Sequence, residues 1–278
     1  MSNTEQQEFW TDDAGPIWVA QQRAMDTALA PVLDAVLTRA DIGTGAKVLD
    51  IGCGAGTSTL AAAQRTGASG AAHGFDISAT LLDRARTLAQ DIPQAAFTQA
   101  DAQTHPFEAD QYDLMISRFG VMFFNDTDAA FANLARALKP GGRMVFAAWG
   151  AIGQNPFFTM PAGIAKTQIG AVPKSDPDAP GPFAMRKPAR VTAMLRGAGL
   201  SHITAEEVEI ALTPSGDAQE VAHLMCQIGP AQAALSHFDA GAADRARLIA
   251  ALTDGMAPFQ TPDGIRIPSL INLFTAQA

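Results

Sequence analysis

Val48-Leu49-Asp50-Ile51-Gly52-Cys53-Gly54-Ala55-Gly56-Thr57 decides the fold. A short apolar run starting at Lys47 passes through an acid into three closely spaced glycines, the pattern of a strand entering a tight turn and then a helix. In a doubly wound sheet such a junction is where cofactors bind. Glycines there allow unusual backbone angles and let a ligand approach the main chain. A dinucleotide fingerprint, Gly-x-Gly-x-x-Gly begun at Gly52, needs a glycine at position 57, where Thr57 stands. Taken alone, the run is also compatible with a plain glycine turn, because a lone glycine pattern is a weak signal.

Two acids further along give the turn meaning. Gly74-Phe75-Asp76-Ile77-Ser78 places a carboxylate at the end of the second strand. Its two acceptor oxygens suit the two hydroxyls of a ribose, although an acid also suits a helix start. Gln99-Ala100-Asp101-Ala102 ends a third strand. There Asp101 is placed to accept from an adenine amino group, and the backbone N–H of Ala102 to donate to the ring. A nicotinamide-binding sheet needs the first acid and not the second.

Outward from these strands, segment 46–150 alternates strand and helix. Ser78 is an N-cap for a helix carrying Leu81, Leu82, Ala85, Leu88 and Ala89. Residues 95–100 and 112–117 are short strand candidates, and Phe131, Leu134, Ala135 and Leu138 form a helical stripe. Lys139-Pro140-Gly141-Gly142 is expected to stop that helix before a strand over 143–149. The alternation predicts an α/β fold with a mostly parallel, doubly wound sheet and helices on both faces.

Upstream, Trp18, Gln22, Met25, Leu29, Leu33 and Leu37 recur at helical spacing, so 1–45 reads as a helical cap. Downstream, prolines at 156, 161, 173, 177, 180, 182 and 188 are expected to preclude long regular elements, and 151–187 reads as a lid or insertion. A helix near 188–198, a strand near 203–212, helices over 217–254 and a final strand near 265–275 follow. The chain thus divides into cap (1–45), core (46–150), lid (151–187) and sheet completion (188–278), with 217–254 as a helical substrate cap.

With Asp50-x-Gly-x-Gly-x-Gly, Asp76 and Asp101 in place, the chain resembles the class I S-adenosylmethionine-dependent methyltransferases. The likeness continues through Phe107–Leu114, Ser117–Phe124 and Leu134–Gly142, and is similar in style to the ubiquinone, menaquinone and bacterial natural-product branch. It implies a seven-stranded Rossmann-like sheet, S-adenosylmethionine as methyl donor, S-adenosylhomocysteine as product, and a small organic acceptor. It also implies that Asp50 receives the donor's ammonium, directly or through water, that Gly52 and Gly54 approach the methionyl portion, and that Gly56 belongs to the same cofactor-binding turn. Asp76 would hold the ribose, Ile77 the adenine face, and Asp101 and Ala102 the adenine edge. The Ser117 carbonyl would meet the amino group, Arg118 and Phe119 would face the methyl, and Trp18 and Gln22 would close the site. Trp18 and Gln22 are equally readable as a core Trp and a surface Gln.

Transfer from a sulfonium is a direct in-line displacement, so positioning and desolvation carry most of the expected rate. A base is needed only where the acceptor must lose a proton; His223 and His237 are candidates, each also readable as a helix-surface histidine. Arg118 is a third candidate, alternatively an ion pair joining two loops. Cys53 reads as packing, and no metal-ligand cluster coincides with the cleft. Trp18, Phe157, Phe158, Met160, Phe183, Met185, Leu224 and Met225 give the caps an apolar character suited to an aromatic or aliphatic acceptor.

Bulk properties narrow the partners. The 278 residues are 47% hydrophobic and carry a net charge of −9, which disfavours nucleic acid and favours a small, uncharged or cationic partner. The Asn/Asp-Pro-Pro-Tyr signature of DNA-amino methyltransferases is absent. No run approaches the ~20 apolar residues of a membrane span, and the polar start Met1–Glu8 reads as cytoplasmic. Two readings stay open beside the methyltransferase: a nicotinamide oxidoreductase on a similar sheet, and a non-catalytic binding subunit of the same fold. Oligomeric state is not legible.

Overall fold

The computed structural model describes residues 4–278; Met1, Ser2 and Asn3, the start of the polar N-terminus, lie outside the described residues. The N-terminal cap is a broken helical run rather than one helix: α1 (Thr4–Glu8), a π-helical turn (Phe9–Asp13), α2 (Ala14–Ala20), α3 (Gln22–Ala28) and α4 (Ala30–Ala40). Met25, Leu29, Leu33 and Leu37 are buried as their spacing predicts, and Trp18 and Gln22 are half-buried.

The core follows as β1 (Lys47–Ile51), α5 (Thr57–Thr66), β2 (Ala71–Asp76), α6 (Ala79–Leu88), β3 (Ala95–Gln99), β4 (Tyr112–Arg118), α7 (Thr127–Ala137) and β5 (Leu138–Trp149). Ser78 caps α6 by accepting from the Leu81 N–H at 3.2 Å. Lys139–Gly142 ends α7 as expected, but β5 already begins at Leu138. The pairing with β4 jumps from Tyr112↔Leu138 to Leu114↔Arg143, so the intervening residues bulge out of register.

The remaining elements are α8 (Pro156–Gln168), α9 (Pro188–Gly197), β6 (Ser201–Leu212), α10 (Ala218–Met225), α11 (Pro230–His237), α12 (Ala242–Gly255), a two-residue hairpin of β7 (Gln260–Thr261) and β8 (Gly264–Ile265), and β9 (Ile267–Gln277). The 13-residue helix α8 corrects the expectation that prolines exclude regular structure from this region. Pro156 lies in the first turn, where the missing N–H has no helical partner to lose. Pro161 does forfeit one helical bond, but Phe157, Pro161 and Ala165, four residues apart, make the buried face of the helix. Only the stretch after α8, up to α9, stays irregular.

The seven strands lie in the order β3-β2-β1-β4-β5-β9-β6. The first five are mutually parallel, and β9 runs antiparallel between β5 and β6. Its centre is apolar on both faces: Leu49, Met115, Met144, Phe146 and Phe274 are fully buried, as expected where helices cover a parallel sheet. The sequence leaves β1 toward β2 on one side and β4 toward β5 on the other, so the β1/β4 boundary is the topological switch point, open at the carboxyl ends of the strands. No described helix is long and apolar enough to cross a membrane.

Candidate active site

The switch point is built by glycines in close contact. Gly52, Gly54 and Gly56 all have positive φ, at 64°, 55° and 88°. A Cβ on Gly52 would lie 2.5 Å from the Cα of Gly120, and one on Gly120 would lie 2.6 Å from that of Gly52. The two chains leaving β1 and β4 therefore cross at main-chain contact. Ser117 fastens the crossing: its hydroxyl donates to the Ile51 carbonyl at 2.7 Å and accepts from the Gly120 N–H at 3.1 Å. The Ser117 side chain is buried beneath the crossing and is not on the cavity wall. Gly56 is likewise not a wall residue. A side chain there would strike Ala85 and Phe97, each at 2.9 Å, so this glycine lets α6 and β3 pack close to the turn.

Above the crossing lies a cavity of ≈ 390 Å³. One end is walled by Gly52, Gly54, Asp76, Ile77, Asp101 and Ala102, from the carboxyl ends of β1, β2 and β3. Asp76 Oδ2 accepts from the Gly54 N–H at 2.7 Å and Oδ1 from the Ser78 N–H at 2.9 Å. The carboxylate thus joins the glycine turn to the start of α6. Burial raises its pKa above the ordinary carboxylate value, and the backbone donors pull the other way. Asp101 Oδ1 accepts from the Gln103 N–H at 2.9 Å, which holds the turn after β3 against the cavity.

Asp50, expected at the donor's ammonium directly or through water, does not itself stand on the cavity wall. It is fully buried, because strand alternation turns it toward α5. Its Oδ2 accepts from Ser58 Oγ and Thr59 Oγ1, both at 2.6 Å, while Oδ1 finds no partner among the described residues. Burial pushes its pKa up to about 6. Asp50 therefore fastens the first turn of α5 to β1.

A polar chain crosses the cavity from the N-terminal cap. Arg118 Nη2 donates to Asp26 Oδ1 at 2.9 Å. Asp26 Oδ2 accepts from Gln22 Nε2 and Thr57 Oγ1, both at 2.6 Å. Gln22 Oε1 in turn accepts from Arg84 at 3.1 Å. Four segments, α3, α5, α6 and the end of β4, are tied together through Asp26, a residue the sequence reading passed over. Trp18 and Gln22 both reach the wall, as does Trp10, whose ring lies 5.8 Å from that of Trp18 and 5.2 Å from that of Phe123. The Trp10 and Thr11 carbonyls accept from Ser78 Oγ at 2.7 Å and Thr80 Oγ1 at 2.8 Å, anchoring the cap to α6.

The other end of the cavity is aromatic. Phe119, in a left-handed conformation at φ 70°, stacks on Trp149 with centroids 4.2 Å apart. Trp149 meets Phe158 at 5.1 Å edge to face, and Phe157, Phe123 and Phe124 complete the wall. Of the predicted apolar cap residues, Trp18, Phe157 and Phe158 reach the cavity. Phe183 stands behind Phe158 at 4.9 Å, and Met160, Met185, Leu224 and Met225 pack away from it. Met185, Leu224 and Met225 are core residues.

The structure does not bring His223 and His237 to the site. Val221, Ala222, Leu224 and Met225 occupy the buried face of α10, which leaves His223 exposed. His237 ends α11, exposed beside the Phe238 ring at 4.7 Å. Cys53 lines the cavity as a buried thiol whose pKa burial raises well above its ordinary value.

A mostly parallel sheet with one antiparallel strand next to the last position, and an acid-and-glycine cavity at its switch point, defines a Rossmann-like nucleoside-binding class. Comparison with known proteins narrows it. Residues 48–142 match a family described as a methyltransferase domain, and this segment is such a domain. Over 105 residues the chain is 37% identical to aklanonic acid methyltransferase DauC of Streptomyces sp. (strain C5), spanning 37% of this chain and 48% of that protein. It is 40% identical over 105 residues to the ubiquinone/menaquinone biosynthesis C-methyltransferase UbiE of Cellvibrio japonicus, spanning 37% and 42%. The chain thus spans less than half the length of either relative.

Among solved structures, Haemonchus contortus phosphoethanolamine N-methyltransferase 2 in complex with S-adenosyl-L-methionine superposes with a TM-score of 0.59 at 18% identity, covering 98% of this chain and 59% of that one. The [4+2]-cyclase SpnF superposes at 0.55 and 18% identity, covering 89% and 80%. The fold is that of the class I methyltransferases, and SpnF shows that the fold does not by itself name a reaction.

Proposed function

We propose that the chain transfers a methyl group from S-adenosylmethionine to a small aromatic acceptor by direct in-line displacement. The observation that carries the reading is the division of one cavity into a nucleoside end, held by Asp76, Asp101 and the Gly52–Gly54 turn, and an aromatic end on Phe119 and Trp149. The residues present fit the donor. The space beside Gly54 is open where a Cβ would point, so a ligand can lie against the main chain there. Asp76 presents acceptor oxygens in a position fixed by two backbone donors, ready for a vicinal diol.

When bound, the donor supplies an electrophilic methyl on a sulfonium. This chain's part is placement and exclusion of water. Trp10 and Trp18 cover the cavity from the cap side, and the Phe119–Trp149 stack offers a flat wall for a planar acceptor. Alignment of the reacting atoms contributes on the order of 7 kcal/mol or more in well-oriented reactions. Removing water helps further, because charge disperses as the methyl leaves the sulfonium. Ser117, Gly56 and Asp50 act as positioning residues that hold the turn, and Arg118 and Gln22 tie the cap to the core.

Titration calorimetry with S-adenosylhomocysteine tests the reading. Binding is expected for the wild-type chain and not for NADH. Affinity for NADH alone would overturn it.

A further inference from the structure

The aromatic end of the cavity has, among the described residues, none able to take a proton from an acceptor. Among the described residues, the ionisable side chains on the wall are Asp26, Cys53, Asp76, Asp101 and Arg118. Asp76 and Asp101 sit at the nucleoside end, and Asp26 already accepts from Arg118, Gln22 and Thr57. Cys53 is a buried thiol. His73 and Tyr112 bond to each other at 3.2 Å away from the wall. His105 packs against Phe75 and Phe107, with centroids 5.2 and 4.7 Å away.

A donor, by contrast, is waiting. Arg118 lines the cavity, its Nη2 is taken by Asp26, and its Nη1 is buried with no hydrogen-bond partner among the described residues. Leaving a guanidinium N–H unmade in a buried place is costly, so an acceptor atom from a ligand belongs there. An anionic oxygen matches it best, since bonds between two charged partners are the strong ones.

We propose that the acceptor is a small aromatic acid, a carboxylic acid or a comparably acidic enol, methylated as its anion, with Arg118 receiving the acid group. This rests on the methyltransferase reading above. The step balances without a base. A carboxylate oxygen forms the new O–CH3 bond, the S–CH3 bond breaks, sulfur keeps the electron pair, and no proton moves. An anion and a sulfonium cancel as they react, and a dry aromatic wall favours the loss of charge over its separation. The net charge of −9 and the wall carboxylates of Asp26, Asp76 and Asp101 disfavour anions in general, so it is direct contact with Arg118, not the field of the cavity, that holds the acid group.

The test is calorimetry on the chain saturated with S-adenosylhomocysteine, titrated with 1-naphthoate and with its uncharged isostere 1-naphthamide. Naphthoate is expected to bind at least about tenfold tighter. Arg118→Gln and Arg118→Lys are each expected to reduce that preference, Gln abolishing it. Equal binding of acid and amide by the wild-type chain would overturn the proposal, whatever the variants do.

A second arm separates the other carboxylate in reach, that of the methyl donor itself. If Arg118→Gln weakens S-adenosylhomocysteine but not 5′-methylthioadenosine, and leaves the acid preference intact, Arg118 serves the donor and the proposal fails. In turnover, the acid should react with a kcat/KM that is flat from about pH 7 to 9, where a phenol of pKa ~10 gains tenfold per unit. Faster methylation of a shape-matched phenol or amine overturns it too. If neither S-adenosylhomocysteine nor 5′-methylthioadenosine binds the wild-type chain, the methyltransferase reading is what has failed.

Discussion

Asp76 and Asp50 both brace the glycine turn and are both raised in pKa by burial, yet only Asp76 stands on the cavity wall. For Asp76, replacement by Asn keeps the shape and removes the charge from the diol contact. The expected loss is about 1.5–3 kcal/mol of S-adenosylhomocysteine affinity, and unchanged calorimetric affinity would reject the ribose assignment. For Asp50, the consequence is in stability. Its folded pKa of about 6 lies above the ordinary 3.8. The folded state therefore holds this proton more tightly than the unfolded chain does. Stability from this group is complete below pH ~4 and is lost as pH rises through 6, by roughly 3 kcal/mol. Asp50→Asn retains an oxygen for Ser58 and Thr59 and carries no charge. Urea unfolding should show wild type falling relative to the variant between pH 4 and 7, and parallel curves would refute the burial argument. At this scale the sequence was informative where a residue's place depends on its own strand: Asp76 and Asp101 end β2 and β3 and stand on the wall. It was silent on Asp26, whose partners Thr57 and Arg118 are 31 and 92 residues away.

At the scale of elements, the meeting of the chains after β1 and β4 is the most constrained feature. A Cβ at Gly120 would come within 2.5 Å of the Ile51 carbonyl oxygen, a main-chain atom that cannot rotate aside. Gly120→Ala is expected to lose on the order of 1–3 kcal/mol through overpacking and to weaken S-adenosylhomocysteine as the turn shifts. Gly54→Ala meets no atom within 4 Å. Its cost should be confined to the ~1–2 kcal/mol of a left-handed alanine. Thermal unfolding compares the two, and a smaller loss at Gly120 would contradict the crossing as the tighter site. The alternation of strands and helices from 46 to 150 was readable because each element there carries its own periodicity and caps. Helix α8 was not, because proline propensity argues against it and only the burial of Phe157, Pro161 and Ala165 against the rest of the fold outweighs that preference. His223 and His237 failed for a related reason: placing a helix near a pocket does not say which of its faces looks in.

In the whole molecule, the cavity is closed from two directions, by the N-terminal cap and by the stretch that follows α8. Pro182 reaches the wall, and the Gly181 N–H donates to the Met122 carbonyl at 3.1 Å beside it. Residues 171–177 just before are exposed, with Lys174 among them. Trypsin cleavage after Lys174, followed by mass spectrometry, should slow several-fold when S-adenosylhomocysteine and 1-naphthoate are bound. Equal rates would show that this stretch does not respond to the cavity's contents. The proline-rich and apolar composition marked these stretches as different from the core, whereas the wall contributed by Trp10, Phe123 and Trp149 depends on how distant segments fold together. The position of β9 has a further consequence. The 11-residue strand β9, made after both of its neighbours, fills the slot between β5 and β6. A ribosome-bound chain lacking it exposes two unsatisfied strand edges flanking an apolar gap, a sticky intermediate that only the arrival of residues 267–277 can seal. Closure of the sheet is therefore expected to wait on this strand, with chaperone dependence concentrated in the interval before it is made.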